Sequence, residues 1–314
     1  MVKPKSKRRS SLSTQVKAAV IAAGWRLLAS LPLAWIQALA VIVGKLVWRF
    51  VRREKHLTRV NLSLCFPHLD AASRDALGQQ ALIESTRTML EMGYIWMAPI
   101  KRVLNKLVAI EGAEAVFAAN QQQPAIILAP HIGQWEIITQ WVSTQTKFTY
   151  MYSPPRLTEL DPVIRQGRCR TGGQLVPADI KGVAGLLKAL RRGEMIGILP
   201  DQVPDRGQGG VVAPFYGQPA LTATLLPKLV QKTQAQVFTA LAQRLPKGQG
   251  YKLVFIPADA RVYSACEATA AAGVNASVEQ IIAYAPSQYQ WAYKRFKSLP
   301  DRNVYRTSTS STAN

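Results

Sequence analysis

The chain has 314 residues, enough for one large domain with a sizeable core or two small ones. Hydrophobic residues make up 48% and charged residues only 18%, less than a soluble domain usually carries, while 39 Lys and Arg against 18 Asp and Glu leave a net charge of +21. Such an excess calls for an anionic partner, nucleic acid or an acidic membrane. The three cysteines, Cys65, Cys169 and Cys266, are widely spaced and odd in number, which argues against a disulfide scaffold or a cysteine metal site.

The charge is concentrated at one end. Residues 1–60 hold 13 Lys and Arg and a single acid, Glu54. Residues 1–15 are basic and polar and are expected to be disordered. Residues 16–55 are expected to anchor the chain to a membrane. Within them, residues 27–44 carry only Ser30 and Gln37 as polar side chains, bracketed by Arg26 and Lys45, with Arg49, Arg52, Arg53 and Lys55 following. Basic residues flanking an apolar helix favour a membrane over nucleic acid. The 18-residue run is near the lower limit for crossing a bilayer, and Pro32 would kink it. A spanning anchor and a helix lying in the interface with snorkelling cations both fit, and a buried core helix is the bland alternative. A cleavable signal peptide fits poorly, because a basic segment follows and no small-residue cleavage site is clear.

From residue 56 to 300 the pattern is that of an α/β domain. Residues 71–98 read as a helix. Ala125-Ile-Ile-Leu-Ala-Pro130 is a short apolar run between prolines and reads as a buried strand, with His131 directly after it. Residues 148–152 form a second strand, residues 181–192 a helix stopped by Gly193, and residues 195–199 a third strand ending at Pro200-Asp201. Residues 237–241 and 252–256 add two more. Strands alternating with helices imply an α/β fold, a mostly parallel or mixed central sheet covered by helices. Active sites in such folds form where strands end, as at His131 and Asp201. The tail, residues 301–314, is Ser/Thr-rich and expected to be disordered.

Of the three histidines, His56 lies in the basic region, His68 follows Pro67, and His131 follows a buried strand. His131 is the best placed general base. Glu136 lies five residues on, about 140° away on an ideal helix, so a turn must bring the two together, and Gly133 can supply it. With His131 in that turn and Glu136 entering the next helix, the carboxylate could accept the imidazole N–H and fix its tautomer. On spacing alone this is a weak signal.

The wider sequence strengthens it. His131-Ile-Gly-Gln-Trp-Glu136 after Leu128-Ala-Pro130, the segment Arg59-Val-Asn-Leu-Ser-Leu-Cys-Phe-Pro67, Tyr152 onward to Arg165-Gln-Gly-Arg168, Ile198-Leu-Pro-Asp-Gln202, Gly209-Gly-Val-Val-Ala-Pro-Phe215 and Pro286-Ser-Gln-Tyr-Gln-Trp291 occur in the chain. Together they resemble the bacterial lipid A late acyltransferase family of the lysophospholipid acyltransferase superfamily, over residues 25–300. The resemblance implies a glycerolipid acyltransferase-like fold, His131 as general base and Glu136 as its orienting partner. It implies an acyl-carrier-protein thioester as donor and a lipid hydroxyl as acceptor. Arg168 would bind acceptor phosphate or developing negative charge, and Asp201 would hold Arg168 or His131. Arg165, Gln134 and Trp135 would contact substrate. The sequence departs from the common Tyr-Arg-Pro triplet at Tyr152-Ser-Pro-Pro-Arg156, where Arg156 stands in for the missing arginine, and Ser287 stands where an acid is common.

A base-activated hydroxyl can attack a thioester directly, which fits the lack of a Gly-x-Ser-x-Gly elbow. Cys65 with nearby His68 is the covalent alternative and lacks a third group. No cofactor or metal is implied, because P-loop, dinucleotide and Cys/His signatures are missing from the sequence. Nucleic acid is not expected as a partner, for want of a recognition motif. The expected partners are an acyl-carrier protein, an anionic glycolipid and the bacterial inner membrane, with the catalytic domain on the cytoplasmic side. Two rivals are an acyltransferase acting on a lysophospholipid or another glycolipid, and a non-enzymatic basic membrane-binding protein.

Overall fold

The apolar run near the start of the chain folds as two helices. A computed structural model describes residues 12–205, 208–297 and 303–306. The expected disorder of residues 1–11, 301–302 and 307–314 therefore lies outside the described residues, whereas residues 12–15 are helical and Tyr305 of the tail is buried, its hydroxyl donating to Asn61 Oδ1 at 2.7 Å. Helix α1 (Leu12–Ser30) stops at Pro32, and α2 (Leu33–Phe50) begins directly after it. Proline lacks the N–H that a continuous helix needs and restricts the residue before it, so the expected kink becomes a break. A second break at Val51 starts α3 (Arg52–Cys65).

The next helix, α4 (Ala71–Met97), is the longest and matches the expected span; Asp70 caps it by accepting from the Ser73 N–H. Helices α1 and α2 both pack on α4. Gly44 permits the closest approach, since a Cβ there would sit 2.6 Å from the Ile83 Cα. One side of α2, with Leu33, Ile36, Gln37, Ala40 and Gly44, is buried. The other, with Trp35, Leu39, Ile42, Leu46 and Phe50, is exposed. Helix α2 is long and apolar enough to be a candidate membrane anchor.

A short helix α5 (Ile100–Leu104) leads into the α/β core: β1 (Leu107–Glu111), α6 (Ala113–Gln122), β2 (Ala125–Leu128), α7 (Trp135–Gln145), β3 (Phe148–Tyr152), α8 (Asp161–Cys169), β4 (Gln174–Pro177), α9 (Ile180–Arg191) and β5 (Met195–Ile198). The hairpin β6 (Gly210–Phe215) and β7 (Gln218–Ala223) forms its own two-stranded sheet. Then come α10 (Leu225–Thr233), β8 (Gln236–Arg244), β9 (Tyr251–Pro257) and α11 (Glu267–Tyr284). The seven-stranded sheet has the order β1-β9-β8-β2-β5-β3-β4. All its pairs are parallel except β8 with β9, so the expected mixed sheet is present. Sequence reading missed β1 and β4, whose alternation of buried and exposed positions is weak, and the hairpin, whose positions do alternate in burial.

Strands β2 and β5 are central and buried at every position, which is why both read as unbroken apolar runs. Burying Ile126, Ile127 and Leu128 contributes roughly 1.5–3 kcal/mol each, so the strand end that carries the site is firmly held.

Candidate active site

The register of two neighbouring strands builds the site. Leu128 of β2 lies beside Ile198 of β5, and the ladder continues one residue further through Ala129 N–H to the Ile198 carbonyl at 2.9 Å. His131 and Asp201 each follow three residues after these partners, so two parallel strands deliver them side by side. The Asp201 carboxylate accepts from the His131 backbone N–H at 3.0 Å and lies 2.9 Å from its Nδ1. Burial pushes the Asp201 carboxyl up, but the charge and hydrogen bonds of His131 outweigh this and hold it below the ordinary carboxylate range. With Nδ1–H given to Asp201, Nε2 carries the lone pair. The Gln202 side-chain amide lies 3.2 Å from it, and the Trp135 ring packs edge-on against the imidazole at 4.8 Å.

Glu136 does not hold the imidazole as expected. Its carboxylate, only 2% exposed, accepts from the Trp96 indole at 3.0 Å and from Arg168 Nε at 3.0 and 3.1 Å, with a further short contact to Nη2. The reason is local. Gly133 (φ +60°) turns the chain, Gln134 donates its N–H to the Ala242 carbonyl, and Glu136 enters α7 directed towards α4 and α8. Burial pulls down the Arg168 proton affinity, but Glu136 more than restores it, so the guanidinium stays charged. It also stacks near the Tyr152 and Trp96 rings.

A cavity of about 760 Å³ opens onto this cluster. His131, Trp135, Glu136, Arg168 and Gln202 line its polar end, and Met151, Val183, Leu225, Leu226 and Val274 form apolar walls. The volume is within the usual range for small-molecule sites, about 300–1,000 Å³.

The other expected substrate contacts are dispersed. Gln134 is wholly buried and donates to Glu91 at 3.0 Å, so it supports the turn and is not part of the cavity wall. Arg165 pairs with Asp161 at 2.8 Å and lies over Tyr152 outside the cavity lining. Arg156 is exposed in the loop after β3 and also lies outside that lining. Cys65 is buried, and desolvation pushes its thiol up, away from the reactive thiolate.

Sequence reasoning missed the support beneath the turn. Arg244 of β8, 3% exposed, donates to Glu91 at 2.8 Å and to Glu84 at 2.8 Å, both on α4. Burial works against its charge, but Glu91 and Glu84 outweigh it. Glu91 also accepts from Gln134 and from Gln37 of α2 at 2.9 Å, while Thr88 donates to the Gly133 carbonyl at 2.9 Å. One signal was present: residues 81, 84, 88, 91 and 95 mark the buried stripe of α4, and three of them are polar. Gln202 and Trp96 carried no signal of their own.

Comparison with known proteins identifies the family. Residues 2–298 match the family described as bacterial lipid A biosynthesis acyltransferase. The chain is 28% identical to the lipid A biosynthesis lauroyltransferase of Escherichia coli K12 over 88% of its length and 89% of the relative's. It is 27% identical to the palmitoleoyltransferase of the same organism, over 86% and 87%, and 24% identical to the myristoyltransferase, over 82% and 79%. The chain belongs to the bacterial lipid A biosynthesis acyltransferase family and is an acyltransferase.

Proposed function

We propose that the protein transfers a fatty acyl group from an acyl-carrier-protein thioester to a hydroxyl of a lipid A precursor, with His131 as general base. The observation that carries this reading is the Asp201–His131 pair, whose imidazole lines an apolar-walled cavity; with Nδ1–H given to Asp201, the Nε2 lone pair is left for the acceptor. The acceptor hydroxyl displaces the Gln202 amide, gives its proton to Nε2 and attacks the thioester carbonyl. The tetrahedral intermediate then expels the thiolate, which takes the proton back from the imidazolium. Arg168 uses Nε and Nη2 on Glu136 and keeps Nη1 for the acceptor's phosphate or the developing oxyanion. Glu136 and Trp96 set its position. The relatives' names, lauroyltransferase and myristoyltransferase among them, support lipid A as the acceptor.

The protein acts at the cytoplasmic face of the bacterial inner membrane. The exposed apolar side of α2, joined by Val16, Val20 and Leu27 of α1, supports a helix pair lying in the lipid interface. A helix crossing the bilayer alone fits less well, because Gln37 near its start is pinned to Glu91 and to the Gly248 N–H.

The test is an in vitro assay of the purified protein with acyl-carrier-protein and acyl-coenzyme A donors against a tetra-acylated lipid A precursor. His131→Ala is expected to abolish turnover with the fold retained by circular dichroism. Full turnover by that variant, or unchanged lipid A acylation in cells lacking the gene, would overturn the reading.

A further inference from the structure

The break between α2 and α3 forms a second basic cleft, of about 320 Å³, lined by Arg49, Arg52, Lys55, His56 and Arg59. Two of its walls are tied down: Arg59 pairs with Asp75, and His56 Nε2 lies 3.2 Å from the Tyr305 carbonyl. Arg49, Arg52 and Lys55 form no salt bridge among the described residues, although the charge of Lys55 also acts on Asp75, the partner of Arg59. The one acid in the first turn of α3, Glu54, is paired with Arg53. No side chain caps α3, so its first N–H groups add a partial positive charge beside the same cleft.

The position of the cleft identifies its occupant. On α2, Trp35, Leu39, Ile42, Leu46 and Arg49 are spaced three or four residues apart and share one face, so the exposed apolar stripe ends in a cation. Phe50 and Trp48 flank that end, with Arg49 5.4 Å from the Phe50 ring and Lys55 4.8 Å from the Trp48 ring. A helix lying in the interface sets such an apolar stripe against the lipid tails, while the aromatic residues and cations beside it reach the headgroups. We propose that this cleft binds the phosphate of an anionic bilayer phospholipid, whose tails lie along the α2 stripe. The site would fix how the protein sits on the membrane and is separate from the acceptor site at Arg168. An acidic protein partner would use the cations but leave the adjoining stripe without a role. The proposal rests on the membrane-surface reading above and adds a discrete headgroup site to it.

The experiment is flotation of the full-length protein with vesicles of phosphatidylcholine alone or with phosphatidylglycerol added. The wild type is compared with the Arg49→Gln/Arg52→Gln/Lys55→Gln variant and with a control of equal charge, Lys181→Gln/Lys188→Gln/Arg191→Gln. Each cation at an anionic surface is worth about tenfold or somewhat less in binding, so the triple variant should lose on the order of 100-fold of its affinity for anionic vesicles. It should keep its affinity for phosphatidylcholine and its turnover in detergent, and the control should lose much less. An equal loss in the control would show a diffuse field and overturn the site. So would an unaltered preference in the triple variant, or a loss of acyl-carrier-protein binding with vesicle binding intact. A wild type that binds both vesicles equally overturns the headgroup site alone, whereas one that binds neither overturns the membrane reading too.

Discussion

Asp201→Asn changes one atom type at the centre of the site. Asp201 offers two acceptors, Oδ2 to the His131 N–H at 3.0 Å and Oδ1 to Nδ1 at 2.9 Å. Asparagine has one oxygen and one NH2 group. The backbone N–H can only donate, so it retains the oxygen and turns the NH2 towards Nδ1. Nδ1 must then accept, and the imidazole proton moves to Nε2, where the lone pair was needed. The Gln202 amide, 3.2 Å from Nε2, meets a second donor and must turn as well. The corresponding change in the serine protease triad lowers kcat by about 10⁴. A loss of about 10³–10⁴ is expected here, on the order of 4–5.5 kcal/mol at 1.36 kcal/mol per tenfold. Steady-state acyl transfer at saturating substrate measures the loss, and ¹⁵N shifts of the imidazole read the tautomer. A flipped tautomer with kcat within tenfold of wild type would remove His131 as the base. An imidazole still protonated at Nδ1 would refute the hydrogen-bond argument itself.

Glu136→Gln leaves the Arg168 guanidinium without its counter-charge. Because Arg168 is partly exposed, the expected loss of stability is roughly 2–4 kcal/mol, at or below the usual range for a broken buried pair, with turnover falling as well. The Glu136→Gln/Arg168→Gln double variant should lose clearly less than the sum of the single changes in denaturant unfolding, and strict additivity would show that the two do not act as a pair. Gly133→Ala places a Cβ 2.1 Å from the Ala242 carbonyl oxygen at a positive φ. It should destabilise the protein by roughly 2–4 kcal/mol and lower activity in the fraction that folds; a thermal midpoint equal to wild type would contradict this.

The strands that carry the site were legible because they are buried on both faces. Ala125-Ile-Ile-Leu128 and Met195-Ile-Gly-Ile198 stand out as short apolar runs between turn residues, and each points to a chemically useful residue just past its end. Their adjacency was not legible. Strand order is set by long-range packing, so nothing local to His131 said that Asp201 would be its partner while Glu136, five residues away, would turn to Arg168 and Trp96. Short spacing favoured the wrong carboxylate. The N-terminal apolar run was legible as a candidate membrane anchor but not as half of a packing interface, because hydropathy averages over both sides of a helix. The polar stripe of α4 could have shown that something charged had to be matched inside the domain; its partner Arg244 lies 153 residues after Glu91.

The chain of contacts from Gln37 through Glu91 to Gln134 changes what it means to shorten this protein. Helix α2 looks like a tether that could be trimmed to gain solubility. Its Gln37 supplies one of the donors that satisfy Glu91 and accepts from the Gly248 N–H, and its Leu33, Ile36 and Ala40 close the core over α4. Trimming it would leave a buried carboxylate short of a donor directly beneath the turn that holds His131. Helix α2 and the turn that carries His131 are two ends of one polar strut, so solubility is better sought by replacing the outward residues Trp35, Leu39 and Ile42 than by cutting the helix away.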